Sequence, residues 1–125
     1  MKGLLYTSLI VILSACGSAN SSSSNIAKDL DVKAFKLELV KHTEAQLLDV
    51  RTPEEWSNGI IEGAILVNLF DQNFVSNIEP LDPSKAVFVY CKAGGRSKKV
   101  MDKMVALGFK EIYNLKGGYT AYMHE

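Results

Sequence analysis

The segment Cys91-Lys92-Ala93-Gly94-Gly95-Arg96-Ser97 carries the residue types best able to do chemistry in this chain. A cysteine opens it, two glycines sit in its middle and an arginine lies near its close. Val87-Phe88-Val89-Tyr90 precedes it, a β-branched and aromatic run suited to a strand buried on both faces. From Ser97 onward Val100, Met104 and Leu107 recur at helical spacing, and Gly108 supplies a stop. Gly94 and Gly95 permit backbone angles that other residues resist. A strand, a tight turn and a helix start together form a bowl of inward-pointing N–H groups, which binds anions. A cysteine at the first position of such a bowl is expected to ionise readily, because the thiolate is itself the anion being stabilised. Lys92, Arg96, Lys98 and Lys99 add positive charge. The competing reading is a small buried hydrophobe at the end of an apolar strand. A core cysteine, however, needs neither the glycines nor the cations that follow it.

The elements that must position this loop can be read outward from it. Ile26–Leu30 suits a short edge strand. Asp31 is a helix N-cap for a segment that places Val32, Phe35 and Leu39 on one face. Lys41 and His42 lie near the end of that helix, where positive charge suits the dipole, and His42 reads as a solvated helix-end residue. Gln46–Arg51 reads as the next strand, with Asp49 and Arg51 at its C-terminal end, where sites form in open α/β sheets. Thr52 then caps a helix that has Pro53 at its first position, Glu54 and Glu55 at its positive end and Trp56 turned inward. Ile65-Leu66-Val67 is a third strand, and residues 70–81 form an irregular helix or loop bounded by Pro80 and Pro83. After the helix that follows Cys91, Ile112–Leu115 is the final strand, Lys116-Gly117-Gly118 turns, and Tyr119–Glu125 forms one last helical turn. Strands alternating with helices predict an α/β fold: a mostly parallel central sheet of about five strands with helices on both faces.

The 125 residues suit one domain, and 47% hydrophobic against 22% charged content is enough apolar material for a core. The formal net charge of zero gives no reason to expect a nucleic-acid partner. Residues 1–15 read as a signal peptide, with Lys2 followed by the apolar run Leu4–Leu13, which is too short to span a bilayer. Leu13-Ser14-Ala15-Cys16 resembles the bacterial lipobox, in which the cysteine becomes lipid-modified. Residues 16–25 are then an anchor cysteine followed by a polar, Ser-rich flexible linker, and residues 26–125 form the domain. The expected location is extracytoplasmic, tethered to a bacterial membrane through lipid on Cys16, on the periplasmic face in a Gram-negative cell. With Cys16 so used, Cys91 is the single thiol of the domain, and the two cysteines and two histidines have no metal-ligand spacing.

Three motifs in order resemble the rhodanese family. Leu48-Asp49-Val50-Arg51-Thr52-Pro53-Glu54-Glu55-Trp56, with Gly59-Ile60-Ile61-Glu62-Gly63-Ala64 after it, resembles the first family signature. Tyr90–Ser97 resembles the active-site loop, and Leu115-Lys116-Gly117-Gly118 the motif after the last strand. Ile60 stands where the family usually has His, and Tyr122 where it usually has Trp.

The resemblance implies a rhodanese-like fold and a sulfurtransferase. Such enzymes take a sulfane sulfur from a small anionic donor such as thiosulfate onto the loop cysteine, here Cys91, and pass it from the persulfide to cyanide or a thiol. No metal or organic cofactor is needed. The backbone from Lys92 through Ala93, Gly94, Gly95 and Arg96 to Ser97 would hold the anion. Lys92 would draw in the donor. Arg96 would contact the anion or clamp the loop to a carboxylate, with Asp49 a candidate partner. Arg51 would line the mouth, or pair with Asp49 as a strand-end ion pair. Two alternatives stand beside this reading. One is a persulfide carrier or binding module without turnover. The other is a cysteine-based phosphatase or arsenate reductase, whose loops place five residues between Cys and Arg, where four stand here.

Overall fold

The computed structural model describes residues 24–125, together with positions 3, 12 and 17. The expected signal peptide, the lipid-attachment residue Cys16 and most of the linker lie outside the described residues.

Five strands alternate with five helices: β1 (Ile26–Leu30), α1 (Val32–Lys41), β2 (Gln46–Asp49), α2 (Pro53–Trp56), β3 (Ile65–Leu66), α3 (Phe74–Ile78), β4 (Val87–Tyr90), α4 (Gly95–Ala106), β5 (Glu111–Leu115) and α5 (Gly118–His124). The strands form one sheet in the order β1-β5-β4-β2-β3. Every pairing in it is parallel. β4 lies at the centre, in register with β2 through Leu48↔Val89 and Asp49↔Tyr90, and with β5 through Val89↔Asn114. All four residues of β4 are buried, as its continuous apolar run requires of a strand covered on both faces.

Side-chain alternation splits the core into two layers. Leu48, Val87, Val89, Cys91 and Ile112 pack beneath Val100, Met101 and Met104 of α4 and Phe74 and Ile78 of α3. Leu47, Phe88, Tyr90, Tyr113 and Leu115 pack beneath Val32 and Phe35 of α1, with Tyr119 and Tyr122 of α5 against them. Asp31 caps α1 by accepting from the Ala34 N–H at 2.8 Å. Thr52 and Glu55 form a complete capping box on α2, with Pro53 at its first position.

Several elements differ from their sequence expectation. Of the apolar run Ile65-Leu66-Val67, only Ile65 and Leu66 form a strand. β3 is two residues at the sheet edge, both exposed, and only Val67, beyond it, is buried. α4 begins at Gly95, two residues before Ser97, because Gly94 turns the chain with φ +97° and its carbonyl accepts from the Lys98 N–H. Leu107 caps α4 and is 47% exposed, so it does not continue the inward face. α5 is longer than one turn. Trp56 is half-buried and its indole N–H lacks a partner. His42 is half-buried instead of solvated, since its Nε2 meets Glu111 Oε1 at 3.1 Å and its ring packs against Phe88.

Candidate active site

Cys91 follows the C-terminal end of β4, and its side chain is 1% exposed. Its sulfur accepts from the Gly94 N–H at 3.1 Å and from the Ser97 hydroxyl at 3.3 Å. Burial pushes the thiol pKa up. The Ser97 hydroxyl and the N–H groups of Ser97, Ala93 and Gly94 outweigh that effect and hold it below the usual thiol value. Ser97 is itself fully buried at the first turn of α4. Lys92, Ala93 and Gly95 are exposed around the mouth. Of the two loop glycines, Gly94 alone uses a left-handed conformation. A side chain on Gly95 would meet nothing within 4 Å.

The Arg96 guanidinium does not reach Asp49. It makes a bidentate pair with Glu55, Nη1 donating to Oε2 at 2.8 Å and Nη2 to Oε1 at 2.6 Å. The Arg96 contact, together with the Thr52 cap, holds the Glu55 carboxyl down at about 2. Arg96 therefore clamps the Cys91 loop to α2. The sequence pointed to a clamp but to the wrong carboxylate. Asp49 is taken: fully buried, it accepts from Arg51 Nη2 at 2.8 Å and from the Arg51 backbone N–H at 3.0 Å.

Arg51 is 3% exposed and donates from Nη2 to the Gly59 carbonyl at 2.7 Å. The Tyr119 ring covers its guanidinium, 4.2 Å from the ring centroid. Arg51 thus acts as a strand-end tie. It still borders a cleft of about 200 Å³ beside the loop, shared with Glu55, Asn58, Lys92, Tyr119 and Thr120. A larger cleft of about 310 Å³ opens at the other end of the sheet, around His42, Ser84 and Glu111, away from the cysteine.

The turn after β5 braces the loop from below. The Tyr119 N–H donates to the Cys91 carbonyl at 2.8 Å, and the Thr120 N–H to the Lys92 carbonyl at 3.0 Å. Gly118 has φ +61°, and a Cβ there would stand 2.5 Å from the Lys92 carbonyl carbon and oxygen. Only glycine fits at that contact. Sequence reasoning gave Glu55 only a place at the positive end of its helix and gave Gly118, Tyr119 and Asn114 no role in the site. The signals available were the Thr52-x-x-Glu55 spacing of a capping box and the paired glycines, which allow a close approach. Nothing local identified their partners. Among the described residues, no cluster of His, Cys, Asp or Glu side chains is placed to hold a metal.

The comparisons with known proteins agree with this geometry. Residues 31–125 match the family description "Rhodanese-like domain". The chain is 30% identical over 115 residues to thiosulfate sulfurtransferase 18 of Arabidopsis thaliana, covering 82% of this chain and 85% of that protein. It is 34% identical over 91 residues to the thiosulfate sulfurtransferase GlpE of Shewanella oneidensis, covering 70% and 87%. It also resembles part of a tRNA uridine(34) hydroxylase of Picosynechococcus, at 31% identity over 93 residues, spanning 31% of that protein's length. Among solved structures, a rhodanese-like domain protein of Staphylococcus aureus superposes with a TM-score of 0.67 at 28% identity, covering 76% of this chain and 90% of that one.

Proposed function

The chain belongs to the rhodanese-like domain family, and on that premise we propose that it is a sulfurtransferase using a persulfide on Cys91. One observation carries the reading: a single buried sulfur with a backbone N–H at 3.1 Å and a hydroxyl at 3.3 Å, both aimed to stabilise negative charge. The Cys91 thiolate attacks the outer sulfur of thiosulfate or a similar donor. A bond forms between the two sulfurs, the bond from the outer sulfur to the sulfite sulfur breaks, and sulfite leaves with the electron pair. A thiolate or cyanide then attacks the outer sulfur, and the bond to Cys91 breaks to restore the thiolate.

Lys92, exposed on the rim, draws in the anionic donor. The backbone of residues 92–97 cradles the transferred sulfur. Arg96 supports the loop through its bidentate pair with Glu55, which holds the loop to α2. The four residues between Cys91 and Arg96, where cysteine-based phosphatases place five, speak against phosphate chemistry. We further propose that lipid on Cys16 tethers the protein outside the cytoplasm. Intact-mass analysis of protein purified from its native membrane tests this point, and a chain with no lipid mass at Cys16 refutes it.

The central experiment is mass spectrometry after incubation with thiosulfate. One added sulfur, about 32 Da on the Cys91 peptide and absent from Cys91→Ser, is the expected result. No adduct with any sulfane donor would overturn the reading. An adduct that forms but is not released to cyanide or thiols would leave a carrier in place of an enzyme.

A further inference from the structure

Three donors converge on one oxygen of the catalytic loop. The Gly94 carbonyl accepts from the Lys98 N–H at 3.2 Å and from Asn114 Nδ2 at 3.2 Å, and the Ser97 hydroxyl stands 3.2 Å away. A carbonyl oxygen offers two lone pairs, and a serine hydroxyl has one proton to donate. The other acceptor within reach of that proton is the Cys91 sulfur, at 3.3 Å. The two distances barely differ, so what decides the proton's direction is which acceptor is still free. Lys98 fills one lone pair as part of the first helical turn. Asn114 fills the other.

We propose that Asn114 is a positioning residue for the sulfur chemistry: by occupying the Gly94 carbonyl, it turns the Ser97 hydroxyl proton onto the Cys91 sulfur and keeps that sulfur ionised. Its place in the fold suits this role. Asn114 is 2% exposed and pairs with Val89 in the sheet register, on the same face as Ile112 and the α4 layer. Its Nδ2 also donates to Asp29 Oδ1 at 2.8 Å, which fixes the amide between β1 and the loop. Its own Oδ1 is buried with no partner. A buried acceptor without a donor is unfavourable, and an apolar residue here would avoid it. What the asparagine supplies is its donor group, directed at Gly94. With that donor gone, the Gly94 oxygen regains a free lone pair and competes with the sulfur for the Ser97 proton.

The inference rests on Cys91 being the nucleophile, yet its test reads thiol ionisation directly and does not depend on sulfur transfer. The pH profile of iodoacetamide alkylation is followed on the Cys91 peptide in full-length wild type, Asn114→Leu, Ser97→Ala and the double variant. Unfolding midpoints are measured alongside. Ser97→Ala is expected to raise the alkylation midpoint by about one pH unit, the scale of one hydrogen bond to a charged group. Asn114→Leu should raise it by a similar amount, and the double variant no further than Ser97→Ala alone. A merely structural asparagine would lower the unfolding midpoint without this coupling. An unchanged alkylation midpoint in Asn114→Leu overturns the proposal, as does a double-variant shift equal to the sum of the two singles. Should Asn114→Leu fail to fold, Asn114→Ser, whose shorter side chain cannot span to Gly94, replaces it with the same two outcomes. A missing persulfide with a coupled profile would remove the sulfurtransferase reading and leave Asn114 in its place.

Discussion

The Arg96 guanidinium and the Glu55 carboxylate meet end to end, through hydrogen bonds of 2.8 and 2.6 Å. Each residue has a second task. Arg96 belongs to the loop that surrounds the sulfur, and Glu55 closes the capping box of α2. One contact therefore joins the start of α2 to the start of α4.

Loss of that contact should show in acid. Glu55→Gln keeps the shape of the cap and removes the charge. It is expected to lower stability at neutral pH by roughly 1–2 kcal/mol, allowing for solvent screening of a pair about a quarter exposed. The Glu55 pKa is depressed in the fold, from 4.5 to about 2. Its stabilising effect is therefore complete above about 4.5 and is lost as pH falls toward about 2. Denaturant titrations across this window should find the wild-type advantage shrinking. An advantage that stays constant down to pH 2 would show that it does not come from the Glu55 charge.

Lys92 is exposed on the rim of the small cleft beside the loop. Lys92→Ala should raise the apparent KM for thiosulfate roughly fivefold and leave kcat nearly unchanged, as expected when a charge contact of about 1 kcal/mol is lost equally from ground and transition states. Steady-state kinetics at low salt decide the matter. An unchanged KM removes Lys92 from anion capture.

Gly118→Ala tests the brace. The added methyl would lie 2.5 Å from the Lys92 carbonyl and 2.6 Å from the Ala93 nitrogen, at a residue with φ +61°. The expected cost is about 2 kcal/mol or more, with sulfur-transfer activity falling further than stability does. Gly63→Ala is the control, because Gly63 also has a positive φ, +83°, but has open space around it. Equal effects of the two substitutions on activity would mean that the contact under the loop is unimportant.

His42 gives the fold a pH dependence near neutrality. Its Nδ1 faces the Glu38 carbonyl at 2.8 Å and its Nε2 the Glu111 carboxylate at 3.1 Å, so both nitrogens face acceptors, which suits the imidazolium. The Glu38 carbonyl bond, with Glu111, raises its pKa above 6.5. A raised pKa stabilises the fold fully below the unfolded value and loses that effect as pH climbs through the folded one. Wild type should therefore lose up to about 1 kcal/mol relative to His42→Gln between pH 6 and 8. A pH-independent difference between the two would show that His42 titrates alike in the folded and unfolded chain.

Local signals carried most of the fold. The buried run of β4, the Asp31 and Thr52 caps and the alternation of strands with helices all identify their elements without tertiary knowledge, and the chain folds as they indicate. The Cys91 loop was legible for the same reason, since its donors lie within six residues of the sulfur. Partners distant in sequence were not legible. Asp49 stood as the candidate carboxylate for Arg96, but Arg51, two residues away, holds it instead. Asn114 had no reading beyond its place in the last strand, because its partner Gly94 lies twenty residues earlier. The strand β3 is one residue shorter than its apolar run, since pairing stops at Leu66 and nothing in the composition marks that stop.

The parallel sheet has one last consequence. Ile26 starts β1 beside Lys110, where β5 is about to begin, while Cys91 stands where β4 stops. Whatever holds the protein by the stretch ahead of Ile26 grips the floor of the sheet and leaves the reactive atom on its roof. A tether ahead of Ile26 therefore joins the domain at the end of the sheet opposite the Cys91 loop.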